Sequence, residues 1–354
     1  MLVSGMMTAQ GKDLSRYARQ TIFYGIGRQG QEKLLAARVV IIGCGATGTV
    51  IANHLVRAGV GTLVVVDRDF IELNNLQRQL LFDEADLAEN LPKAVAAERK
   101  LRAINSEIDI TGIVADVNAE NIEDLIAGAT LVMDGSDNFE TRYIVNDACL
   151  KHNIPWIYTG VVSGYGMSQT IIPGQTPCLR CLYPDVPPPG TSATCDTAGV
   201  VGPVVGAVAS ISATEAIKLL VGQGELNRGV IHLDLWDLSL EKFATGQPRP
   251  DCPACGKAEY DFLDEVAGSQ SVSLCGRNAI QIRAGNGRTK KLPLGQIARQ
   301  LDAVATITAA NDFLVRFEVP PAYEITLFAD ARAIIKGTED ESVARGLYAK
   351  YIGS

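Results

Sequence analysis

The chain has 354 residues, which is too long for one ordinary hydrophobic core, so two or three domains are expected. Apolar residues make up 47% of the chain and charged residues 20%, a balance that excludes a disordered protein. The net charge of −8 argues against nucleic acid as a partner.

The N-terminus carries no export pattern. Its first residues, MLVSGMMTAQGKD, lack the basic segment and long apolar run of a signal peptide, so a cytoplasmic location is expected. Residues 198–214 are uncharged, but this run is short for a bilayer and contains Gly202, Pro203 and Gly206. We interpret it as a buried helix and expect no membrane span.

Strands and helices alternate through the first two thirds of the chain. A helical segment is predicted over residues 1–37, and then come the apolar strand ARVVIIG, a glycine turn, the helix TVIANHLVRAG and the strand GTLVVVD. The alternation continues with PKAVAAERKLRAI, DITGIVADV, AENIEDLIAGA and TLVMDGSD. This order predicts an α/β fold with a doubly wound, Rossmann-like, mostly parallel sheet. Strands at IPWIYTGVV, GMSQTIIPG and GVIHLDLWD should extend it.

A proline- and cysteine-rich stretch, QPRPDCPACG at residues 247–256, reads as a boundary. Beyond it, SVSLCGRNAIQIRAG, DFLVRFEV and YEITLFADARAIIKG are typical of antiparallel strands, and LGQIARQLDAV and EDESVARGLYAKYIG of helices. The predicted division is therefore 1–37, 38–258 and 259–354, the last being a small α+β domain that offers no motif of its own.

The first turn has the spacing of a nucleotide-binding loop. Gly43, Gly45 and Gly48 form a G-x-G-x-x-G frame between a strand and a helix, where phosphate can approach the backbone and the helix N-terminus. Asp67 ends the next strand, 19 residues after Gly48, where an acid can bind ribose hydroxyls. Alone, this pattern indicates a dinucleotide dehydrogenase, or a glycine turn without a ligand.

Further polar residues follow the ends of neighbouring strands. Asp69, Asn75 and Arg78 lie in DRDFIELNNLQRQ, Lys93 opens the next helix, and Asp137 lies in DGSDN. A hydride-transfer site does not need these cations or a second acidic loop. A site that splits ATP needs both, because Arg and Lys hold phosphates and an Asp can hold Mg²⁺. Each of these charged residues, considered alone, could instead be a solvated loop residue without a ligand.

Two C-x-x-C pairs suggest a metal. Cys178 and Cys181 are matched 70 residues later by Cys252 and Cys255, and four thiolates suit a closed tetrahedral Zn²⁺ site. A disulfide or reactive thiols are the alternatives, the first disfavoured in a reducing compartment. Such a metal would clip the end of the sheet domain back onto its middle.

The remaining cysteines divide into two kinds. Cys195 follows the segment PDVPPPGTSAT and precedes a helix, so an exposed thiol that favours its thiolate form is expected there. Whether it reacts or is incidental is left open by the sequence. Cys44, Cys149 and Cys275 are interpreted as small buried residues.

Seven motifs in this order resemble the ThiF/MoeB/HesA family, the bacterial relatives of ubiquitin-activating enzymes. They are RYARQ, GCGATG, DRDFIELNNLQRQ, DGSDN, PCLRC, TCDTAGVVGP and CPACG, and together they cover residues 16–256. The TCDTAGVVGP stretch and the C-terminal extension resemble the thiamine sulfur-carrier adenylyltransferases of the longer bacterial type. The resemblance implies an MgATP-dependent adenylyltransferase that activates the C-terminal glycine of a ubiquitin-like β-grasp sulfur carrier.

The resemblance also implies individual roles. The three loop glycines should line the nucleotide site, Asp67 should bind ribose, and Asp137 should hold Mg²⁺. Asp69 is also expected to bind the nucleotide, on the ground of its place just past the strand end. Asn75, Arg78 and Lys93 should contact the phosphates. Arg19 should cross a homodimer interface into the neighbouring site. Cys195 should lie on a loop above the nucleotide, where in thiamine-type members it can bond to the carrier and in molybdopterin-type members it is dispensable.

Two departures from the family pattern bear on these roles. Ala46 and Thr47 replace the Gly-Leu often found in the glycine turn, and the segment between Arg78 and Lys93 is slightly longer than in some members. The sequence around Cys275, LCGRN, does not resemble a rhodanese loop, so a separate sulfur donor, such as a cysteine desulfurase or a rhodanese, is expected.

Several alternative functions stay open at this point. The carrier could serve molybdopterin synthesis or tRNA thiolation rather than thiazole synthesis. Another member of the family could activate a tRNA-bound carboxylate, although the acidic chain disfavours this. More remote alternatives are an NAD-dependent oxidoreductase and a non-catalytic scaffold that binds a carrier.

Overall fold

A computed structural model describes residues 13–186, 195–264, 271–274, 278–282, 292–302 and 304–352. Fourteen strands in these ranges form two separate sheets. The strands of the first sheet are β1 (Arg38–Ile42), β2 (Thr62–Asp67), β3 (Asp109–Val114), β4 (Leu131–Asp134), β5 (Trp156–Val162), β6 (Tyr165–Ile171), β7 (Val230–Asp234) and β8 (Ser239–Phe243). Those of the second are β9 (Ser271–Leu274), β10 (Ala279–Ile282), β11 (Thr306–Ala310), β12 (Leu314–Val319), β13 (Tyr323–Phe328) and β14 (Ala333–Lys336).

Helices connect and cover these strands. They are α1 (Ala18–Ile22), α2 (Gly27–Ala36), α3 (Ala46–Ala58), α4 (Glu84–Ala88), α5 (Lys93–Ile104), α6 (Ile122–Ile126), α7 (Phe139–Lys151), α8 (Leu179–Leu182), α9 (Cys195–Ala198), α10 (Gly202–Val221), α11 (Pro253–Lys257), α12 (Asp261–Asp264), α13 (Leu294–Leu301) and α14 (Glu341–Tyr351). Single 3-10 turns lie at Ser15–Tyr17 and Leu73–Asn75.

The first sheet has the strand order β3-β2-β1-β4-β5-β6-β7-β8. The strands from β3 to β5 pair in parallel, and β5 to β8 continue as an antiparallel meander. The predicted Rossmann-like, mostly parallel α/β sheet is confirmed. The order reverses at β1, so the loops after β1 and β4 meet at the position where open α/β sheets bind ligands.

Both faces of the parallel part are buried, which explains its uninterrupted apolar strands. Val39 and Ile41 of β1 point into one core with α3, α5 and α10, whereas Val40 and Ile42 point into the opposite core with α6 and α7. The strand β8 differs because almost all of it is exposed, as is expected of the last strand of a meander.

Helix α10 is the one described helix that is long and apolar enough to cross a membrane by length and composition. More than half of its most apolar window is buried against the protein. Its buried Glu215 accepts hydrogen bonds from Thr170 Oγ1 at 3.3 Å and from Asn227 N at 2.8 Å, which join the helix to the sheet. The predicted buried helix is confirmed as a core element.

The second sheet is antiparallel, with the order β11-β12-β13-β14-β10-β9. One face packs against α13 and α14, around Phe317, Ile325 and Tyr348. The predicted small α+β C-terminal domain is therefore confirmed as a fold, although β11 was not predicted. The boundary at residue 258 falls between the two sheets and stays a prediction.

Candidate active site

The glycine turn connects β1 to α3 and is shaped by close backbone packing. Gly43 has φ +92°, and a Cβ on it would lie 2.5 Å from the Gly135 oxygen. A Cβ on Gly48 would lie 2.0 Å from the Gly43 oxygen. Both positions therefore require glycine, because any side chain would collide with the neighbouring backbone.

Gly45 is different, because a Cβ there would meet nothing closer than 3.9 Å. It is the N-cap of α3, and no side chain caps the helix. The first intrahelical bond of the helix runs from Thr49 N to Gly45 O. The preceding N–H groups at the helix start can therefore bind an anion, as the sequence predicts for a phosphate.

Asp67 ties this turn to the end of β2. Its Oδ2 accepts from Cys44 N at 2.6 Å and its Oδ1 accepts from Asp69 N at 2.7 Å. The carboxylate is almost fully buried, and each oxygen retains a second lone pair. The ribose contact stays a prediction, and Asp67 has a second task, which is to hold the glycine turn.

Lys93, which is buried, and Asp69, which is partly buried, form an ion pair beside the turn. Lys93 Nζ lies 3.3 Å from Asp69 Oδ2, and Lys93 N donates to Asp69 O at 2.8 Å. The longer segment between Arg78 and Lys93 contains the short helix α4, so the extra residues do not displace the lysine from Asp69. The structure brings these two predicted residues together.

Asn75 and Arg78 lie on the turn that follows β2. Asn75 is buried, and its Oδ1 accepts from Glu72 N at 3.1 Å, which fixes the 3-10 turn. Arg78 is half-buried and donates from Nη1 to Asn74 O at 2.8 Å. A guanidinium has five N–H donors, so this bond leaves others for a phosphate.

The two acids of DGSDN, at the end of β4, have different surroundings. Asp134 is buried, and its Oδ2 accepts from Arg142 Nε at 2.9 Å. Burial acts against the charge of Arg142, but Asp134, Tyr158 and Asp137 together outweigh burial, so the pKa of Arg142 is raised. Asp137 is exposed, with a long 3.4 Å bond from Asn138 Nδ2. Only Asp137 thus presents a carboxylate to solvent at this strand end.

Arg19 lies apart from these residues within its own chain. It is exposed on α1, and its neighbour Gln20 donates to Ala58 O at 3.0 Å, at the C-terminal end of α3. The glycine turn lies at the other end of α3, about 18 Å away by helix length. The predicted role of Arg19 in a partner's site stays a prediction.

The four paired cysteines converge. Cys178 Sγ lies 3.9 Å from Cys181 Sγ and 3.7 Å from Cys252 Sγ, and Cys181 Sγ lies 3.4 Å from Cys255 Sγ. Four thiolates bound to one tetrahedral Zn²⁺ at about 2.3 Å are about 3.8 Å apart. All four are free cysteines whose sulfur atoms lie within 4.8 Å of one another, which agrees with the predicted metal site and not with the disulfide alternative. The set fits zinc.

The turn CPACG, residues 252–256, carries the second cysteine pair and needs a glycine after its last cysteine. A Cβ on Gly256 would lie 2.4 Å from the Pro250 oxygen, so no larger residue fits. Cys178 and Cys252 start the short helices α8 and α11, which places two of the sulfur atoms at helix N-termini. These helices belong to segments about 70 residues apart, so a bound ion would join them covalently as predicted.

Three further cysteines were predicted to be inert. Cys44 and Cys149 are buried and free, and burial raises the pKa of each thiol. Their predicted status as small buried residues is confirmed, and Cys275 lies outside the described residues.

Cys195 begins α9, directly after residues 187–194, and its side chain is outside the described part. The chain that follows returns towards the site, because a Cβ on Gly202 would lie 3.0 Å from Gln77 O and 4.0 Å from Arg78 Cα. The backbone of this segment therefore passes beside one of the predicted phosphate ligands.

Comparison with known proteins decides the family. A sequence profile described as the ThiF family matches residues 17–254, which is more than half of the chain. The chain belongs to the ThiF family. The resemblance drawn from the seven motifs is confirmed.

Among ThiF-family relatives, the sulfur carrier protein ThiS adenylyltransferase of Bacillus subtilis (strain 168) is 46% identical over 339 residues, 96% of this chain and 99% of that protein. The protein of the same name from Escherichia coli (strain K12) is 40% identical over 256 residues, 71% of this chain and 98% of that protein. The SAMP-activating enzyme E1 of Haloferax volcanii is 38% identical over 261 residues, 73% of this chain and 95% of that protein.

A solved structure has the same fold. The crystal structure of E. coli MccB with MccA-N7isoASN superposes with a TM-score of 0.61 at 27% identity, covering 70% of this chain and 76% of that one. The ThiF-family profile, which matches residues 17–254, spans the first sheet and its helices.

Sequence reasoning missed two arginines next to this ThiF-family site. Arg142 fixes Asp134, and Arg68 pairs with Asp116 at 3.1 Å. The only signal for Arg142 was an acid at the end of a parallel strand, which needs a cation when it is buried. Nothing in the sequence indicated that Arg68 and Asp116 are neighbours.

Proposed function

We propose that the protein adenylylates the C-terminal glycine of a ThiS-type ubiquitin-like sulfur carrier and so activates it for sulfur transfer in thiazole synthesis. The observation that carries this is the 46% identity to the Bacillus subtilis ThiS adenylyltransferase across nearly the whole of both chains. The Escherichia coli relative is a shorter protein, since its match covers 98% of that protein but only 71% of this chain.

The reaction needs positioning and charge stabilisation more than covalent help from the protein. An oxygen of the carrier carboxylate forms a bond to the α-phosphorus of ATP, the bond to the bridging oxygen breaks, and pyrophosphate leaves with the electron pair. The α3 N-terminus and the side chains of Arg78 and Lys93 would stabilise the charge that develops on the phosphates. Asn75 would orient them, and Asp67 and Asp69 would hold the ribose side of the nucleotide.

Asp137 would hold Mg²⁺. Its support is chemical, because it is an exposed carboxylate at the end of a parallel strand, and hard cations prefer such oxygen ligands. Bound Mg²⁺ would neutralise phosphate charge. Zn²⁺ would have a structural role only, because Cys178, Cys181, Cys252 and Cys255 fill all four positions of a tetrahedral ion.

The assembly is proposed to be a cytoplasmic homodimer that meets its sulfur donor as a separate protein. Arg19 supports the dimer, because it is exposed and lies at the far end of α3 from its own glycine turn. It would then complete the site of the partner subunit.

A second candidate is activation of a different carrier. The Haloferax volcanii relative is named a SAMP-activating enzyme, and its 38% identity is spread over 73% of this chain. The same nucleotide site would serve such a carrier, so the distinction depends on carrier recognition and not on the adenylation residues.

Exchange of labelled pyrophosphate into ATP tests the proposal. With MgATP and a ThiS-type carrier that ends in Gly-Gly, exchange should depend on the carrier and disappear when its last glycine is removed. A MoaD-type carrier is the matched comparison. Exchange only with the latter would support the second candidate, and exchange with neither would refute both.

Cys195 requires a separate experiment. Cys195→Ser should retain carrier-dependent exchange and lose sulfur transfer to the carrier, if the thiol bonds to the carrier after adenylation. Cys149→Ala is the control, because that thiol is buried and inert. Full sulfur transfer by Cys195→Ser would show that the thiol is incidental and that the loop which carries it acts only as a lid over the nucleotide site.

A further inference from the structure

The C-terminal sheet reaches the nucleotide site through one buried arginine. Arg332, between β13 and β14, is 3% exposed and donates from Nη2 to Arg68 O at 2.6 Å. Its Nη1 donates to Gln281 Oε1 at 3.1 Å, and its guanidinium stacks 3.9 Å from the centre of the Phe328 ring. One side chain thus joins the C-terminal sheet to the residue that follows Asp67.

Gln281 continues this connection. It is fully buried on β10, and its Nε2 donates to Asp116 Oδ2 at 2.7 Å. The other oxygen of Asp116 accepts from Arg68 Nη1 at 3.1 Å. Asp116 lies just beyond β3, so the C-terminal sheet contacts the nucleotide-binding sheet at two neighbouring strand ends.

Arg68 passes the connection to the predicted phosphate ligand. Its Nε lies 3.8 Å from Asp69 Oδ1, and Asp69 Oδ2 lies 3.3 Å from Lys93 Nζ. The series Arg332, Gln281, Asp116, Arg68, Asp69 and Lys93 is therefore unbroken, and we refer to it as the interdomain relay. Most of the relay side chains are at least three quarters buried. In a buried environment, hydrogen bonds that involve charged groups are strong, and losing one is costly.

The segment between Arg68 and Glu72 is also held by packing. Phe70 is buried among residues of the C-terminal sheet, and Arg316 lies 4.0 Å above its ring. Lys336 Nζ pairs with Glu72 Oε1 at 2.7 Å, next to the turn that carries Asn75. The segment that carries Asp69 is thus fixed from one side by the C-terminal domain.

We infer that the C-terminal domain positions Lys93 for the ATP phosphates through the interdomain relay, with Arg332 and Gln281 as its positioning residues. This rests on the proposed function only in the role given to Lys93. An arrangement of this kind stabilises a nucleotide-binding geometry from outside the first sheet, because removing Arg332 leaves the buried acceptors Arg68 O and Gln281 Oε1 without the hydrogen bonds that it donates.

The test is the affinity for MgATP, measured by calorimetry on the full-length protein. Arg332→Met should weaken MgATP binding about 10-fold, within the range found for residues that couple at a distance. Leu301→Ala is the matched control, because it weakens the packing of α13 on the second sheet in the same domain, in a core that contains no relay residue. It should bind MgATP within about twofold of the parent, as expected for a site outside the coupled network.

A double-mutant cycle separates positioning from general damage. In a Lys93→Ala background, Arg332→Met should have less than about a twofold further effect, because its action passes through Lys93. An unchanged affinity in Arg332→Met, or a full effect in the absence of Lys93, would overturn the inference. If Arg332→Met does not fold, Gln281→Leu replaces it in the same cycle.

The two proposals fail separately. Absence of carrier-dependent pyrophosphate exchange in the parent protein would refute the proposed function, while the MgATP comparison would still decide the relay. Normal exchange in the parent together with normal MgATP binding in both relay variants would refute the relay alone.

Discussion

At the scale of single residues, the most instructive pair is Asp134 and Asp137. They are three positions apart in one motif, yet Asp134 is buried against Arg142 and Asp137 is exposed. Sequence reasoning correctly predicts acids at this strand end. It cannot tell which acid is neutralised by the protein and which is available to a metal, because that depends on Arg142 arriving from α7.

Substitution by asparagine should separate the two roles. Asp137→Asn should lower pyrophosphate exchange at least about 100-fold, the usual cost of losing one electrostatic contact to a transition state. Its free energy of unfolding should stay within about 0.5 kcal/mol of the parent, as for exposed positions. Asp134→Asn should instead cost about 3–5 kcal/mol of stability, because the buried Arg142 guanidinium loses its only paired carboxylate among the described ion pairs. Undiminished exchange in Asp137→Asn would remove the Mg²⁺ assignment.

Asp147 provides a pH signature of the fold. It is fully buried on α7, accepts from Asn146 Nδ2 at 3.1 Å and from Phe262 N at 3.3 Å, and burial raises its pKa from 3.8 to about 6. A raised pKa means that the folded protein holds the proton more tightly than the unfolded chain does. Its contribution to stability is therefore full below pH 3.8 and is lost as the pH rises through about 6.

The expected size of this effect is about 3 kcal/mol between pH 4 and pH 7. Denaturant unfolding of the parent and of Asp147→Asn at a series of pH values measures it, because asparagine cannot titrate. The parent should lose stability relative to the variant across this interval. Protonation of the zinc ligands occurs in both proteins and cancels in the difference. Parallel stability curves would show that the pKa of Asp147 is the same in the folded and the unfolded protein.

At the scale of elements, the parallel strands were the easiest to predict, because both faces of the sheet are covered and their sequences are continuously apolar. Helix α7 was not predicted. It buries Arg142, Asn146 and Asp147, so its polar residues do not lie on one solvent-facing side and the periodic signal is lost. Strand β8 was missed for the opposite reason, since nearly all of its residues are exposed.

The four-cysteine zinc site is an element-scale feature that the sequence does predict. The spacing of the two C-x-x-C pairs indicates a metal site even when the fold is unknown. We expect one Zn²⁺ per chain. Cys252→Ser should lose the ion, and its thermal midpoint should fall by at least about 5 °C, since binding energy at a structural site contributes to folding.

Elemental analysis and thermal unfolding measure both effects. Cys149→Ala is the control, because Cys149 lies in the same buried core but is not one of the four ligands. It should retain the ion despite the cavity that it creates. Full zinc content in Cys252→Ser would contradict the four-thiolate site.

At the scale of the whole molecule, the sequence predicts which residues form a nucleotide site, and that assignment stays a prediction, but it does not predict the contacts that hold these residues in place. Gly43, Gly48 and Lys93 follow from a motif and its order along the chain. The contacts of Arg332 and Gln281 with Arg68 and Asp116 join residues separated by more than 150 positions. Local patterns carry no information about such pairs. The sequence therefore indicates no link between the C-terminal domain and the site, and the link becomes visible only in the contacts between the two sheets.

The central claim is that this ThiF-family protein transfers AMP to the C-terminus of a ThiS-type carrier. Mass spectrometry of the carrier after incubation with the protein and MgATP tests it most directly. We expect an adenylate on the C-terminal glycine, formed by the parent protein and not by Asp137→Asn. A carrier that remains unmodified, while ATP is still bound, would contradict the claim.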